Sequence, residues 1–311
     1  MKITKIITVL GLLLFPAVRI SAQQDPMYTM YMFDKMLINP GYTGSSNWAV
    51  GTLKYREQFV GFDGRPVTGT FNFHAPVPKK HIGLGFKVIS DKAAVMSNLN
   101  ASFYYAYHLN FAGGKLSLGL EAGVYDRRMD FAKLILSTPG DHSVPIEAVS
   151  STVPDASLGL YYQKKQFYLG LSDCHLLKRN FNYHTLNESE SHLYNHYYLL
   201  GGTVLDLSDK IAFEPSFLVK YQPAAPVQLD VNGLLSFYDR IAVGVHYRTG
   251  DAAAAMIKIN ILENLRVAYS YDMTISGLSG YSHGAHEIII SYGIRIPPPP
   301  AEKEVHPRYY Y

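Results

Sequence analysis

Apolar and polar residues alternate with period two along most of this chain. From Lys115 to Tyr125, the positions Leu116, Leu118, Leu120, Ala122 and Val124 alternate with Ser117, Gly119, Glu121 and Gly123. That is the pattern of a strand with one apolar face and one polar face. Ile241, Val243, Val245 and Tyr247 alternate in the same way with Ala242, Gly244, His246 and Arg248. Leu265, Val267, Tyr269 and Tyr271 do so against Arg266, Ala268, Ser270 and Asp272, and His286 to Ile296 repeats the rhythm with Glu287, Ser291, Gly293 and Arg295 opposite. Glycine recurs on the polar faces, and the Gly83 to Gly85 pair lies inside the strand rhythm, where glycine relieves crowding.

A soluble sandwich would turn its charged faces to water. A membrane barrel would turn them into its lumen, where Glu121, Glu214, Lys220, Lys258, Arg266, Asp272, Glu287 and Arg295 can pair with one another. Periodicity does not separate the two, but connection lengths do. The rhythm divides into about fourteen strands of about ten residues, the length that crosses a bilayer when tilted. Brief turns fall at Pro76 to Lys80, Phe111 to Gly114, Lys164 to Lys165, Ser208 to Lys210, Tyr238 to Asp239 and Glu263 to Asn264. The alternate connections include the longest in the chain: Phe131 to Pro154, His175 to Leu193 and Ser276 to Ala285. Gly61 to Arg65, Gln222 to Pro226 and Thr249 to Asp251 are short exceptions. An even strand number, with short turns on one side and long loops on the other, is the plan of a bacterial outer-membrane barrel with both ends in the periplasm. The expected fold is therefore all-β, a transmembrane antiparallel barrel over residues 47–296 with periplasmic termini.

Composition supports this choice. Charged residues make up only 17% of 311, below the quarter or so of a soluble domain, yet mean hydropathy is close to zero. An alternating barrel satisfies both. Aromatic residues make up 13%, carried by 25 Tyr and 15 Phe with a single Trp. A net charge of +3 without a basic stripe gives no sign of nucleic-acid binding.

Lys2 and Lys5 precede an apolar run from Ile6 to Phe15, and Ser21-Ala22 supplies small residues before Gln23. Residues 1–22 read as a cleaved signal peptide. No stretch is long and apolar enough to span a bilayer as a helix, so insertion must use strands. Cys174 is the single cysteine; it is not an acylated N-terminus, closes no intrachain disulfide and reads as a strand-end or loop residue.

Two segments are expected outside the barrel wall. Residues 23–46 form a periplasmic or plug segment with an Asn39-Pro40-Gly41 turn. Its Met27, Met30, Tyr31 and Leu37 stand near helical spacing and are expected to pack against or into the barrel end. Residues 297–311 form a tail whose four prolines, Pro297 to Pro300, cannot continue a ladder and favour an extended, solvated rod.

Three segments resemble the PorP/SprF family of outer-membrane proteins associated with type IX secretion and gliding motility. The first is QQDPMYTMYMFDKMLINPGYTGS, Gln23 to Ser45, with its Gln-Asp-Pro opening and Asn-Pro-Gly-Tyr turn. The second is Tyr55-Arg56-Glu57-Gln58-Phe59 with the glycine loop Gly61 to Arg65 and the Pro66-Val67-Thr68 restart, where Phe59 stands in place of the expected Trp. The third is YDMTISGLSGYSHGAHEIIISYGI, Tyr271 to Ile294. The family usually ends near the last strand, so the tail is a departure.

The resemblance implies a non-catalytic barrel in the Gram-negative outer membrane that supports secretion or surface anchoring of a partner adhesin carrying a type IX sorting domain. It would meet other secretion-machinery components and outer-membrane lipid. The alternative is an outer-membrane channel or transporter for small solutes, with the charged lumen as its lining.

No Gly-x-Ser-x-Gly elbow, Walker loop or dinucleotide fingerprint occurs, and no cofactor is expected. A rim enzyme would draw on Asp141, His142, Asp173, His175 and Ser191, on residue type alone. His192-x-x-x-His196 and His283-x-x-His286 are the close histidine pairs; neither brings a third ligand at zinc spacing, so no metal is expected, and His142, His175 and His184 read as polar loop residues. Outer loops rich in Tyr, His, Asn and Gly suit adaptable recognition of another chain. The candidate partner-contact residues are Tyr281, His283, Leu278, His142 and His175.

Overall fold

The computed structural model describes residues 25–133, 147–183, 193–223 and 225–297. The signal-peptide reading, His142, Asp141, His184, Ser191, His192 and the tail from residue 298 lie outside the described residues.

Among the described residues, fifteen strands pair antiparallel in a single sheet. They are β1 Trp48–Glu57, β2 Val67–Val77, β3 Ile82–Ala93, β4 Met96–Phe111, β5 Gly114–Asp130, β6 Ala148–Lys164, β7 Phe167–Cys174, β8 His196–Gly202, β9 Leu205–Ser208, β10 Ile211–Tyr221, β11 Gln228–Phe237, β12 Ile241–Arg248, β13 Ala252–Leu262, β14 Leu265–Thr274 and β15 Ala285–Arg295. β8 and β9 both pair with β10 and share one place in the wall, so the fifteen strands fill fourteen positions. Their interruption at Thr203 and Val204 faces Pro215, which has no N–H to give to the ladder. Pairing of β1 with β15, from Trp48 opposite Arg295 to Glu57 opposite His286, closes the cylinder.

The alternation read from sequence is inside-out relative to a soluble protein. Leu118, Leu120 and Val124 of β5 are exposed, while Ser117 and Glu121 on the alternate positions are buried. Val243, Val245 and Tyr247 point outward, and Ala242, His246 and Arg248 inward. An apolar outer surface around a polar interior is stable only where lipid replaces water. Among the described residues no helix is long and apolar enough to cross a membrane.

The six brief turns expected from sequence all lie at one end and the long connections at the other. Strand lengths differ from the expected ten: β4, β5 and β6 run to 16, 17 and 17 residues. The connection expected over Phe131 to Pro154 is correspondingly shorter, because Ala148–Pro154 pair with Val124–Asp130. Pro154 is tolerated there because β7 pairs with β6 only from Leu158 onward, leaving its other edge without a partner strand.

Candidate functional site

The feature that decides what this cylinder can do is its filling. The segment expected over residues 23–46 as a periplasmic or plug element runs down the inside of the barrel from residue 25, not as a helix but as three short 3-10 turns, Tyr31–Phe33, Lys35–Leu37 and Pro40–Tyr42. Asp25 lies at the loop-rich end beside His175 and His196. Thr29 meets Arg56 and Asp272, Asp34 meets Asn72 at mid-strand, and the Ser45 carbonyl accepts from Lys115 at the turn end. The chain thus traverses the lumen before β1 begins.

Helix spacing gives way here because hydrogen bonds to the surrounding wall replace those a helix would make internally. Asn39 is the clearest case. Its side-chain oxygen accepts from Gly41 N at 2.8 Å, while its Nδ2 donates to the carbonyls of Leu160 and Leu171 at 2.9 and 3.1 Å. Ser172 Oγ donates to Ile38 O at 2.6 Å. The lumen-facing glycines find their reason in this contact: a Cβ on Gly119 would collide with the backbone of Pro40 and Gly41. Met30, Tyr31, Met32, Leu37 and Ile38 join wall residues such as Leu200, Leu218, Leu234 and Ile289 in the main apolar cluster.

Charge fixes the upper half of the segment. Arg56, 2% exposed, donates from Nη2 to Asp272 Oδ2 at 2.8 Å and from Nη1 to Glu287 Oε2 at 2.9 Å. Glu287 in turn accepts the backbone N–H groups of Thr29 and Met30 at 2.8 and 3.2 Å, and Thr29 Oγ1 donates to Asp272 at 2.5 Å. Arg248 donates to the Tyr28 carbonyl at 3.1 Å and pairs with Asp230 and Asp251, each at 3.2 Å. Lys54 lies 3.8 Å from Asp34 and 4.2 Å from the centre of the Tyr28 ring.

Of the lumenal charges expected from sequence, Glu121 pairs with Lys87 at 2.7 Å, Lys220 with Asp230 at 2.9 Å and Lys258 with Glu214 at 3.8 Å. Arg266 lines an interior cavity at the turn end with Phe33, Asp34 and Trp48. Arg295 does not join them; it is exposed at the end of β15. Arg56 was legible only as a motif residue, and Lys87, Asp230 and Asp34 gave no sequence signal of their partners.

The candidate contact residues divide. Tyr281 is 73% exposed and Leu278 is exposed on the β14–β15 loop. That loop is tied to the β1–β2 loop by His283 N to Val60 O at 2.7 Å and Val60 N to Gly284 O at 2.9 Å, and the His283 ring packs at Gly61. His175 is not the free polar loop residue expected. It is buried, its Nδ1 lies 2.7 Å from Asp155 and its Nε2 2.9 Å from Asp25. Burial disfavours its charged form, but the Asp25 charge and the hydrogen bonds to Asp155 and Asp25 outweigh this and hold its pKa up at about 10. Asp173, half-buried, accepts from Asn195 at 2.9 Å, and Cys174 ends β7, buried. The rim-enzyme residues that are described therefore stand in structural hydrogen bonds.

Among solved structures, the chain resembles the CymD monoaromatic hydrocarbon channel, with TM-score 0.52 and 13% identity over 88% of this chain and 94% of that one. It also resembles the Ralstonia pickettii toluene transporter TbuX, with TM-score 0.50 and 10% identity over 88% and 95%. At these identities the likeness establishes an outer-membrane barrel fold and nothing further. No curated protein matches the sequence. The model of the type IX secretion system membrane proteins PorP/SprF matches residues 20–292, the lumenal segment and nearly the whole wall, and the chain belongs to that family.

Proposed function

We propose that this protein is a non-catalytic, closed barrel of the type IX secretion system that holds or positions a secreted surface protein at its loop-rich end. Its turn end faces periplasmic machinery. In this reading residues 1–22 are removed on export, the barrel sits in the outer membrane with its loops outside, and the client is an adhesin or similar protein with a type IX sorting domain. The observation that carries the proposal is the occupied lumen. A segment bonded to β1, β2, β5, β6, β7, β12, β14 and β15 along the barrel's length makes the cylinder a solid support. A solute channel would need that segment to leave, breaking a desolvated ion cluster.

Contacts come from the exposed loops, with Tyr281 and Leu278 as an aromatic and an aliphatic anchor. Capture of the protein from detergent-solubilised native outer membranes tests this. A co-purifying protein with a type IX sorting domain, lost in the Leu278→Ala/Tyr281→Ala variant while the barrel stays folded, is the expected result. Capture of the barrel alone, together with an unchanged set of surface proteins in a deletion strain, would overturn it.

A further inference from the structure

Where the lumenal segment begins, three side chains from distant parts of the chain converge. One ligand atom from each of Asp25, His175 and His196 lies within 4.8 Å of the other two. His175 and His196 flank the connection between β7 and β8, with ring centroids 5.5 Å apart. His175 Nε2 stands 2.9 Å from Asp25 Oδ1, and His196 Nδ1 stands 3.8 Å from Asp25 Oδ2. In a tetrahedral zinc site with bonds of 2.0–2.2 Å, ligand atoms are about 3.4 Å apart. The 2.9 Å separation of His175 and Asp25 and the 4.8 Å limit on the three pairs lie on either side of that value, so the three side chains must shift to close on a cation.

Two further observations point to a ligand. His175 has the outer-shell support of a metal-binding histidine: its Nδ1 lies 2.7 Å from the buried carboxylate of Asp155, which orients the ring and leaves Nε2 for a cation. His196 is only 5% exposed; its Nδ1 donates to the Tyr194 carbonyl at 3.0 Å, and its Nε2, which has no hydrogen-bond partner, is the nitrogen left for a cation. The Tyr198 hydroxyl donates to Asp25 Oδ2 at 3.2 Å and steadies the carboxylate. A cavity lined by Asp25, Pro26, His196 and Tyr198 adjoins the cluster and gives room for water as a fourth ligand.

We propose that Asp25, His175 and His196 bind a transition-metal cation of the zinc class, which clips the start of the lumenal segment to the barrel wall between β7 and β8. Two imidazoles and one carboxylate with an open fourth position are a donor set that suits zinc and cobalt and disfavours calcium or magnesium, which take oxygen ligands. The site ties the segment to β7 and β8, strands that the Arg56 cluster of β1, β14 and β15 does not contact.

The test uses the full, tag-free protein folded in detergent and stripped of metal. Titration with Co2+ is expected to give the visible absorption of a tetrahedral nitrogen–oxygen site, saturating at one equivalent per chain and displaced by Zn2+. Zn2+ is expected to raise the urea midpoint of unfolding. His196→Gln, which still migrates as a heat-modifiable folded barrel, is expected to lose the cobalt band and the zinc effect. His81→Asn, in an exposed turn at the other end, keeps both. Absence of a saturable cobalt band in the folded wild-type protein, or a band unchanged in His196→Gln, would overturn the proposal.

Discussion

Replacing Arg56 with Met tests whether charge holds the lumenal segment in place. Met keeps most of the aliphatic stem and removes the guanidinium that reaches Asp272 at 2.8 Å, Glu287 at 2.9 Å and Thr29 Oγ1 at 3.2 Å. Both carboxylates are essentially inaccessible to solvent. Removing one member of such a cluster leaves uncompensated buried charge, with a cost of about 3–5 kcal/mol. Glu287 keeps the N–H groups of Thr29 and Met30 and the more distant Lys54 at 3.9 Å. Asp272 keeps the hydroxyls of Thr29 and Ser270 and the charge of Arg248, so the lower half of that range is expected. With an unfolding slope of about 2–3 kcal/mol per M, the urea midpoint falls by roughly 1–2 M.

The assay is equilibrium urea unfolding of the folded protein in lipid vesicles, followed by tyrosine and tryptophan fluorescence. Arg65→Met provides the comparison: Arg65 pairs with Glu57 at an exposed loop, and such a pair contributes at most about 1 kcal/mol. An Arg56→Met protein within about 1 kcal/mol of wild type would refute the claim that this cluster locks the segment. Adding Asp272→Asn to Arg56→Met removes the carboxylate left without its 2.8 Å guanidinium partner and is expected to restore part of the loss, a non-additivity that a structural accident elsewhere would not produce.

Other outcomes follow from the same geometry. Gly119→Ala places a methyl group against Pro40 and Gly41 and is expected to destabilise the protein by about 1–3 kcal/mol through overpacking, measured as a lowered urea midpoint and faster protease cleavage near Pro40. Leu120→Arg puts a charge on the lipid face, with an expected cost of about 2–4 kcal/mol near the bilayer midplane, and folding yield into vesicles reports it. Tyr281→Ala removes an exposed ring and is expected to leave the unfolding midpoint within about 0.5 kcal/mol of wild type while lowering client recovery from native membranes.

Much of the wall was legible because period-two alternation is local. Leu116 through Val124 announce β5 without reference to anything distant, and short turns such as Glu263-Asn264 fix the antiparallel order. The facing of that pattern was also legible, because a charge-poor chain lacks the polar residues to cover a soluble surface. Ala148–Pro154 escaped notice because Ser, Thr and Pro imitate a loop, and only pairing with the extended end of β5 makes them a strand. The path of the plug segment through the lumen was not legible for a related reason. Its spacing resembles a helix, and nothing nearby in sequence reveals the carbonyls of Leu160 and Leu171 that Asn39 binds. Arg56 finds Asp272 and Glu287 more than two hundred residues away, and Asp25 finds His175 across 150. Such pairings exist only once the sheet has closed.

Ion conductance of the purified, detergent-folded protein in planar lipid bilayers is the most direct test of a barrel filled along its length. The account predicts an electrically silent bilayer with the wild-type protein and the appearance of current in Arg56→Met, where the segment loses its hold. A steady, open conductance from the wild-type protein would contradict it.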